Sequence, residues 1–277
     1  MPFISIIRSS PFDKWRQRRS FAANVRDCKA PPPLSMAIKN TSSDILTKDE
    51  RRAIADIEEV RKSLEQNHNL IEFKDYGAGN PNARRSREEM DEGFIKRSQI
   101  SDICKNASKS QIWCLFLFHL VRQFKPTSCI EMGTCLGISA SFIASALKIN
   151  GSGRLVTLEG APQQAEIACA TFHQLGLKNV TVRVGRFKET LIPTLSEMKP
   201  VSFVFVDGHH DEDATCLYFD TIRPYLDAEN VVIFDDIKWS EGMKNAWRYV
   251  ASQSEAYDLG PIGACIDAGV VSPTSVQ

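Results

Sequence analysis

The chain has 277 residues, enough for one large α/β domain with an extension. Lys plus Arg and Asp plus Glu balance at 34 each, which excludes the strong positive field of a nucleic-acid or acidic-membrane binder. No apolar run reaches the roughly 18 residues of a membrane span, and none of the eight cysteines stands in a C-x-x-C pair, so a reduced, cytoplasmic protein without structural zinc is expected.

The chain opens on a basic stretch. Residues 1–29 hold seven Lys and Arg against two Asp, a net charge of +5. The apolar run FISII is too short for a signal-peptide core. Residues 1–43 are expected to be a basic, poorly ordered leader ending in a stiff Pro-rich linker, with APPPLS at 30–35. A transit peptide or a membrane-surface contact is the alternative. A helical extension is predicted over 44–109. Thr47 starts a helix with Glu50 three residues on, the spacing of a capping box, and Ile54, Ile57, Val60 and Leu64 give its apolar stripe. IEFKDYGAGNP then reads as a short extended piece and a glycine turn. The charged run 82–97 reads as a mobile loop or frayed helix, and 110–124 as an apolar helix on a sheet.

From there strands and helices alternate. Strands are predicted at 128–132, 154–158, 180–184, 201–206 and 230–234, and helices at 138–149, 162–175, 187–198, 212–225 and 240–253. The alternation predicts a doubly wound, mostly parallel sheet with helices on both faces. A closing hairpin is expected at 256–259 and 262–266, turning at Gly260–Pro261. Ligands of such sheets bind beyond the carboxyl ends of the strands. Those ends carry Glu131, Glu159, Asp207 and the pair Asp235–Asp236; only the third strand ends on Gly185 instead. One such acid reads as a helix cap. A whole row of them on one rim points to ligands, because unpaired buried carboxylates are costly.

SCIEMGTCLGIS, from Ser128, places Glu131 in a strand and follows it with Gly133 and Gly137, an E-x-G-x-x-x-G pattern before a helix. Position 135 is Cys, so the dinucleotide fingerprint G-x-G-x-x-G is absent. Here the sequence resembles class I S-adenosylmethionine-dependent methyltransferases, in the small-molecule O-methyltransferase branch, over about 110–277. The resemblance implies a Rossmann-like seven-stranded methyltransferase domain over 110–277 and S-adenosylmethionine as cofactor. It implies that Glu131 faces the methionine amino group, and that Gly133 and Gly137 let the backbone approach. Thr134 and Ser139 would bind the amino-acid end, Glu159 the ribose hydroxyls, and Gly185, Arg186 and Phe187 the adenine. Asp207 would lie at the cofactor as well.

In metal-dependent members an Asp at the end of strand four and an Asp-Asn pair at the end of strand five hold a divalent ion. The matching residues are Asp207, Asp235 and Asp236, which suit Mg²⁺ or Mn²⁺. Asp236 departs from the usual Asn. His210 stands where the family places a lysine base, three residues after Asp207, and imidazole is suited to take a proton. His209 is a further candidate ligand. Lys238 is a second candidate base and Trp239 a candidate pocket wall. Four functions remain open at this stage: metal-assisted O-methyl transfer to a small molecule, metal-free O- or N-methyl transfer with His210 as base, a non-catalytic cofactor-binding module, and a nicotinamide reductase. A homodimer is an open possibility. The substrate has no readable motif, and its specificity is expected from 44–109 and the loop after Trp239.

Overall fold

The computed structural model of the protein describes residues 18–23, 25, 30–80 and 83–266. Five parallel strands form the centre: β5 (Ser128–Met132), β6 (Arg154–Glu159), β7 (Val180–Val184), β8 (Val201–Val206) and β9 (Leu226–Phe234). A hairpin of β10 (Glu255–Asp258) and β11 (Gly263–Ile266) adds antiparallel to β9, giving the order β10-β11-β9-β8-β5-β6-β7. The chain moves from β5 to β6 on one side and later returns to β8 on the other. The order therefore reverses at β5, and a crevice opens there beyond the strand ends.

Period two decides which residue faces which layer. Phe203 and Phe205 of β8 join one core, with α1 (Pro32–Ser43), α5 (Gln111–Phe124), α6 (Ile138–Asn150) and α7 (Pro162–Gln174). Val204 and Val206 join the other, with α8 (Phe187–Met198), α9 (Glu212–Ile222) and α10 (Glu241–Ser252). Covering both faces explains why the strands read as unbroken apolar runs. Helix α5 is apolar nearly all round because it is itself covered, with α1 and α6 against it.

The N-terminal region differs from expectation in two places. Pro32–Ser43 is a helix, not a linker: proline fits its first turn, where no donor is needed, and Leu34 and Ala37 are fully buried. A helical piece at 18–23 brings Phe21 into the same core, 1% exposed and edge-on to Trp113 at 4.9 Å. Val25 joins the same core, and residues 1–17, 24 and 26–29 of the basic leader lie outside the described residues.

The run 82–97 holds α3 (Arg87–Glu92), opened by a Ser86–Glu89 capping box, and most of β4 (Phe94–Gln99). Strand β4 pairs antiparallel with β1 (Leu70–Asp75) in a separate ribbon, and α4 (Ile100–Ala107) follows it directly. Between β1 and α3 lies a short hairpin of β2 (Gly79–Asn80) and β3 (Ala83–Arg84). The expected helix at Thr47 is α2 (Lys48–Glu65), with its capping box formed and Ile54, Ile57 and Val60 buried. Among the described residues, no helix is long and apolar enough to cross a membrane.

Candidate active site

The turn after β5 is built on backbone contact. A Cβ on Gly133 would stand 2.0 Å from the carbonyl oxygen of Asp207, so the ends of β5 and β8 meet main chain to main chain and no side chain fits. Gly133 also has φ +106°, a conformation that favours glycine. Gly137 caps α6 at φ +82°, against the Phe172 ring. The turn thus delivers the N-terminus of α6, with its free N–H groups, to the crevice.

Glu131 is wholly buried beneath this turn. Its Oε2 accepts from Thr157 Oγ1 at 2.6 Å, and Thr157 in turn lies 2.6 Å from Thr134 Oγ1. Oε1 has no partner. Burial pushes the Glu131 pKa up to about 8, and the nearby charges of Asp207 and Glu159 add to the shift. A buried, half-satisfied acid fits a ligand cation, which would complete its hydrogen bonds and restore its charge.

Glu159, at the end of β6, accepts from Cys135 N and Ala161 N, each at 2.8 Å. Burial raises its pKa to about 7, against the pull of these N–H groups. It ties the two turns together at the rim. Gly185 follows β7 and donates its N–H to the Glu159 carbonyl at 2.8 Å. Arg186 turns to Glu189 and to the Asp91 carbonyl at 3.1 Å. Phe187 lies under Gly208, where a Cβ would come within 2.7 Å of its ring, and edge-on to His209 and Tyr218.

The two histidines part company. His209 Nδ1 bonds the Tyr218 hydroxyl, and its carbonyl accepts from Ala78 N at 2.8 Å. Burial holds its pKa below the ordinary imidazole value. His210 Nε2 instead stands 3.7 Å from Asp207 Oδ1 and 4.0 Å from Asp236 Oδ2, with its ring 5.9 Å from Trp239. His209, His210 and Asp236 all have left-handed backbones, at φ 68°, 52° and 52°. Non-glycine residues adopt this conformation at a cost, and the cost is concentrated on this rim.

Asp235 does not stand open beside Asp236. It is 1% exposed and ion-paired with Lys109, whose side chain is 16% exposed. Among the described residues, no group of three or more His, Cys, Asp or Glu gathers to hold a metal ion. Lys238 is also apart from the site, in an exposed pair with Asp258 at 2.8 Å.

Gly133, Glu159, Phe187, Asp207, His209, His210, Asp235 and Asp236 line one cavity of about 1280 Å³, with Glu131 buried behind the lining. Its other walls come from the segment ahead of the sheet: Tyr76, Met90, Ile103, Lys109 and Trp113 among them. The DYGAG turn is stapled in place by Ala78 N to His209, by Arg85 to Asp75 at 3.1 Å, and by the Tyr76 ring against Gly160. Lys109 and Tyr76 were not found by sequence reasoning. A lysine in a polar run carries no local mark of an ion pair made 126 positions further on.

Residues 130–237 match the family model for a methyltransferase domain. Over 95 residues the chain is 33% identical to the catechol O-methyltransferase of Niastella koreensis, a match covering 34% of this chain and 42% of that protein's length. Two solved structures share the fold. The O-methyltransferase from Bacillus cereus in complex with SAH has a TM-score of 0.50 and 23% identity, over 58% of this chain and 83% of that one. The SAH-bound methyltransferase of Podospora anserina has a TM-score of 0.54 and 15% identity, over 95% and 98%. With its glycine turn, its rim of acids and its strand order, the chain thus carries, over residues 130–237, a segment that matches a methyltransferase domain, set in the fold that these solved methyltransferases share.

Proposed function

We propose that the protein transfers a methyl group from S-adenosylmethionine to an oxygen of a small molecule. The unpartnered Oε1 of Glu131 beneath the glycine turn carries this reading. A buried acid lacking one partner suits the methionine ammonium, and the cavity beside it is large enough for a nucleoside and a second small molecule. When bound, the cofactor supplies a methyl group on a sulfonium, reactive without further activation. Glu131 accepts the ammonium. Glu159 lies where ribose hydroxyls would reach it, and Phe187 and Gly208 form a flat wall for the base. His210 Nε2, free of any hydrogen bond shorter than its 3.7 Å approach to Asp207, receives the acceptor's proton. The DYGAG turn and Trp113 screen the site from water and align the acceptor.

The metal-assisted variant fits this chain less well. Asp235 is held by Lys109, and His210 stands between Asp207 and Asp236. Metal-free transfer with His210 as base is therefore the form we adopt. Titration calorimetry with S-adenosylmethionine and with NAD tests the cofactor. Saturable heat with the first alone is expected; binding of NAD alone, or of neither, would overturn the reading.

A further inference from the structure

Lys109 lies outside the matched domain, yet its ammonium ends inside the site. Its backbone is fixed from behind: the carbonyl accepts from Arg61 Nη1 at 2.9 Å and from Cys114 Sγ at 3.4 Å, and Arg61 is itself buried in α2. Its side chain then runs to Asp235 at the end of β9. Lys109 meets Asp235 at Oδ2, and neither carboxylate oxygen has a hydrogen-bond partner beyond this ion pair. One buried carboxylate, one fixed cation and an open cavity stand together, one residue along the chain from Asp236, whose carboxylate lies 4.0 Å from His210 Nε2.

We propose that Lys109 is the resident cation of the acceptor site, taking at Asp235 the place of a divalent ion and making the transfer independent of metal. This rests on the reading of the site as a methyltransferase centre. The ammonium has three donors, and one is used by Asp235. Lys109 lines the cavity, so the others are available to hold the acceptor oxygen as its negative charge develops. The acceptor O–H bond breaks with its proton passing to His210 Nε2. The oxygen lone pair forms the new O–C bond, and the S–C pair returns to sulfur as a neutral thioether. The favoured acceptor is an acidic hydroxyl, because a single ammonium stabilises an oxyanion without binding two oxygens in a chelate.

The test uses Mn²⁺ alone, followed by electron paramagnetic resonance and by melting temperature, on the full chain. Wild type and Lys109→Arg are expected to bind none tightly. Lys109→Met exposes Asp235 beside Asp236 and is expected to gain a Mn²⁺ site with Kd below about 100 µM, seen also as a rise in melting temperature on adding Mn²⁺. The double variant Lys109→Met/Asp235→Asn should lose that site again. Tight Mn²⁺ binding by wild type that Asp235→Asn removes would overturn the proposal. So would a Lys109→Met protein that gains no Mn²⁺ site, or that folds neither with nor without the ion. S-adenosylmethionine calorimetry on the same proteins separates the two readings: loss of cofactor binding in wild type defeats the proposed function, whereas the Mn²⁺ exchange stands or falls without it.

Discussion

Glu131 and Glu159 give the pocket a pH dependence whose sign follows from their pKa values of about 8 and about 7, both raised by burial. A raised carboxyl pKa favours the protonated folded state. Its contribution to the stability of the ligand-free protein is complete below the ordinary carboxylate range and is lost as pH rises through the folded value. A cationic ligand demands the ionised form. S-adenosylmethionine affinity should therefore strengthen from pH 6 towards about 8, with proton release on binding near pH 7. Calorimetry in two buffers of different ionisation enthalpy measures that release. Glu131→Gln should weaken binding and flatten the slope; an affinity constant across this range would remove the assignment.

Glu159 behaves differently from a side chain that merely waits for ligand. Its two oxygens satisfy the backbone N–H groups of Cys135 and Ala161. Glu159→Ala should weaken cofactor binding and also lower the stability of the free protein, by about 1–3 kcal/mol for each buried donor left unpaired. Chemical denaturation without cofactor checks this, with an unchanged midpoint as the contrary result. The carboxylates were legible in the sequence because each ends an apolar run. Their bonds were not, since a backbone donor supplied by another turn leaves no trace in residue type.

At the level of elements, legibility followed burial. The parallel strands are covered on both faces and announce themselves as apolar runs. Strand β4 lies in an open two-stranded ribbon, with Phe94 and Ile95 52% and 64% exposed, so no inward-outward alternation marks it among its charges. Helix α1 was hidden for another reason. Three prolines suggest a linker, but a proline in the first turn is compatible with a helix, and the apolar pattern that follows is short. Its burial changes what truncation should do. Leu34→Ala should cost about 2–5 kcal/mol, as for other buried leucines, and removing residues 1–43 should lower the melting temperature sharply. A cooperative melt unaltered by either change would show that the N-terminal helix is not part of the core.

Over the whole molecule, the family match covers residues 130–237 and so reaches the rim of acids, while Lys109, Tyr76 and Trp113 lie ahead of it. The glycine turn and the acids at the strand ends were readable from pattern and resemblance. The wall ahead of the sheet is assembled by contacts across long stretches of chain, such as Ala78 to His209 and Lys109 to Asp235, and became visible only in three dimensions.

His209, His210 and Asp236 hold left-handed backbones within this one rim. Each costs about 1–2 kcal/mol relative to glycine at the same φ, and the His210 side chain recovers none of that through a close hydrogen bond. His210→Gly should accordingly melt no lower than wild type while abolishing methyl transfer, as scanning calorimetry alongside a turnover assay would show; a clear fall in melting temperature would refute it. Laboratory evolution of this protein for heat tolerance alone would then reach disarmed variants early, through glycine at position 210, unless each round also screened for product.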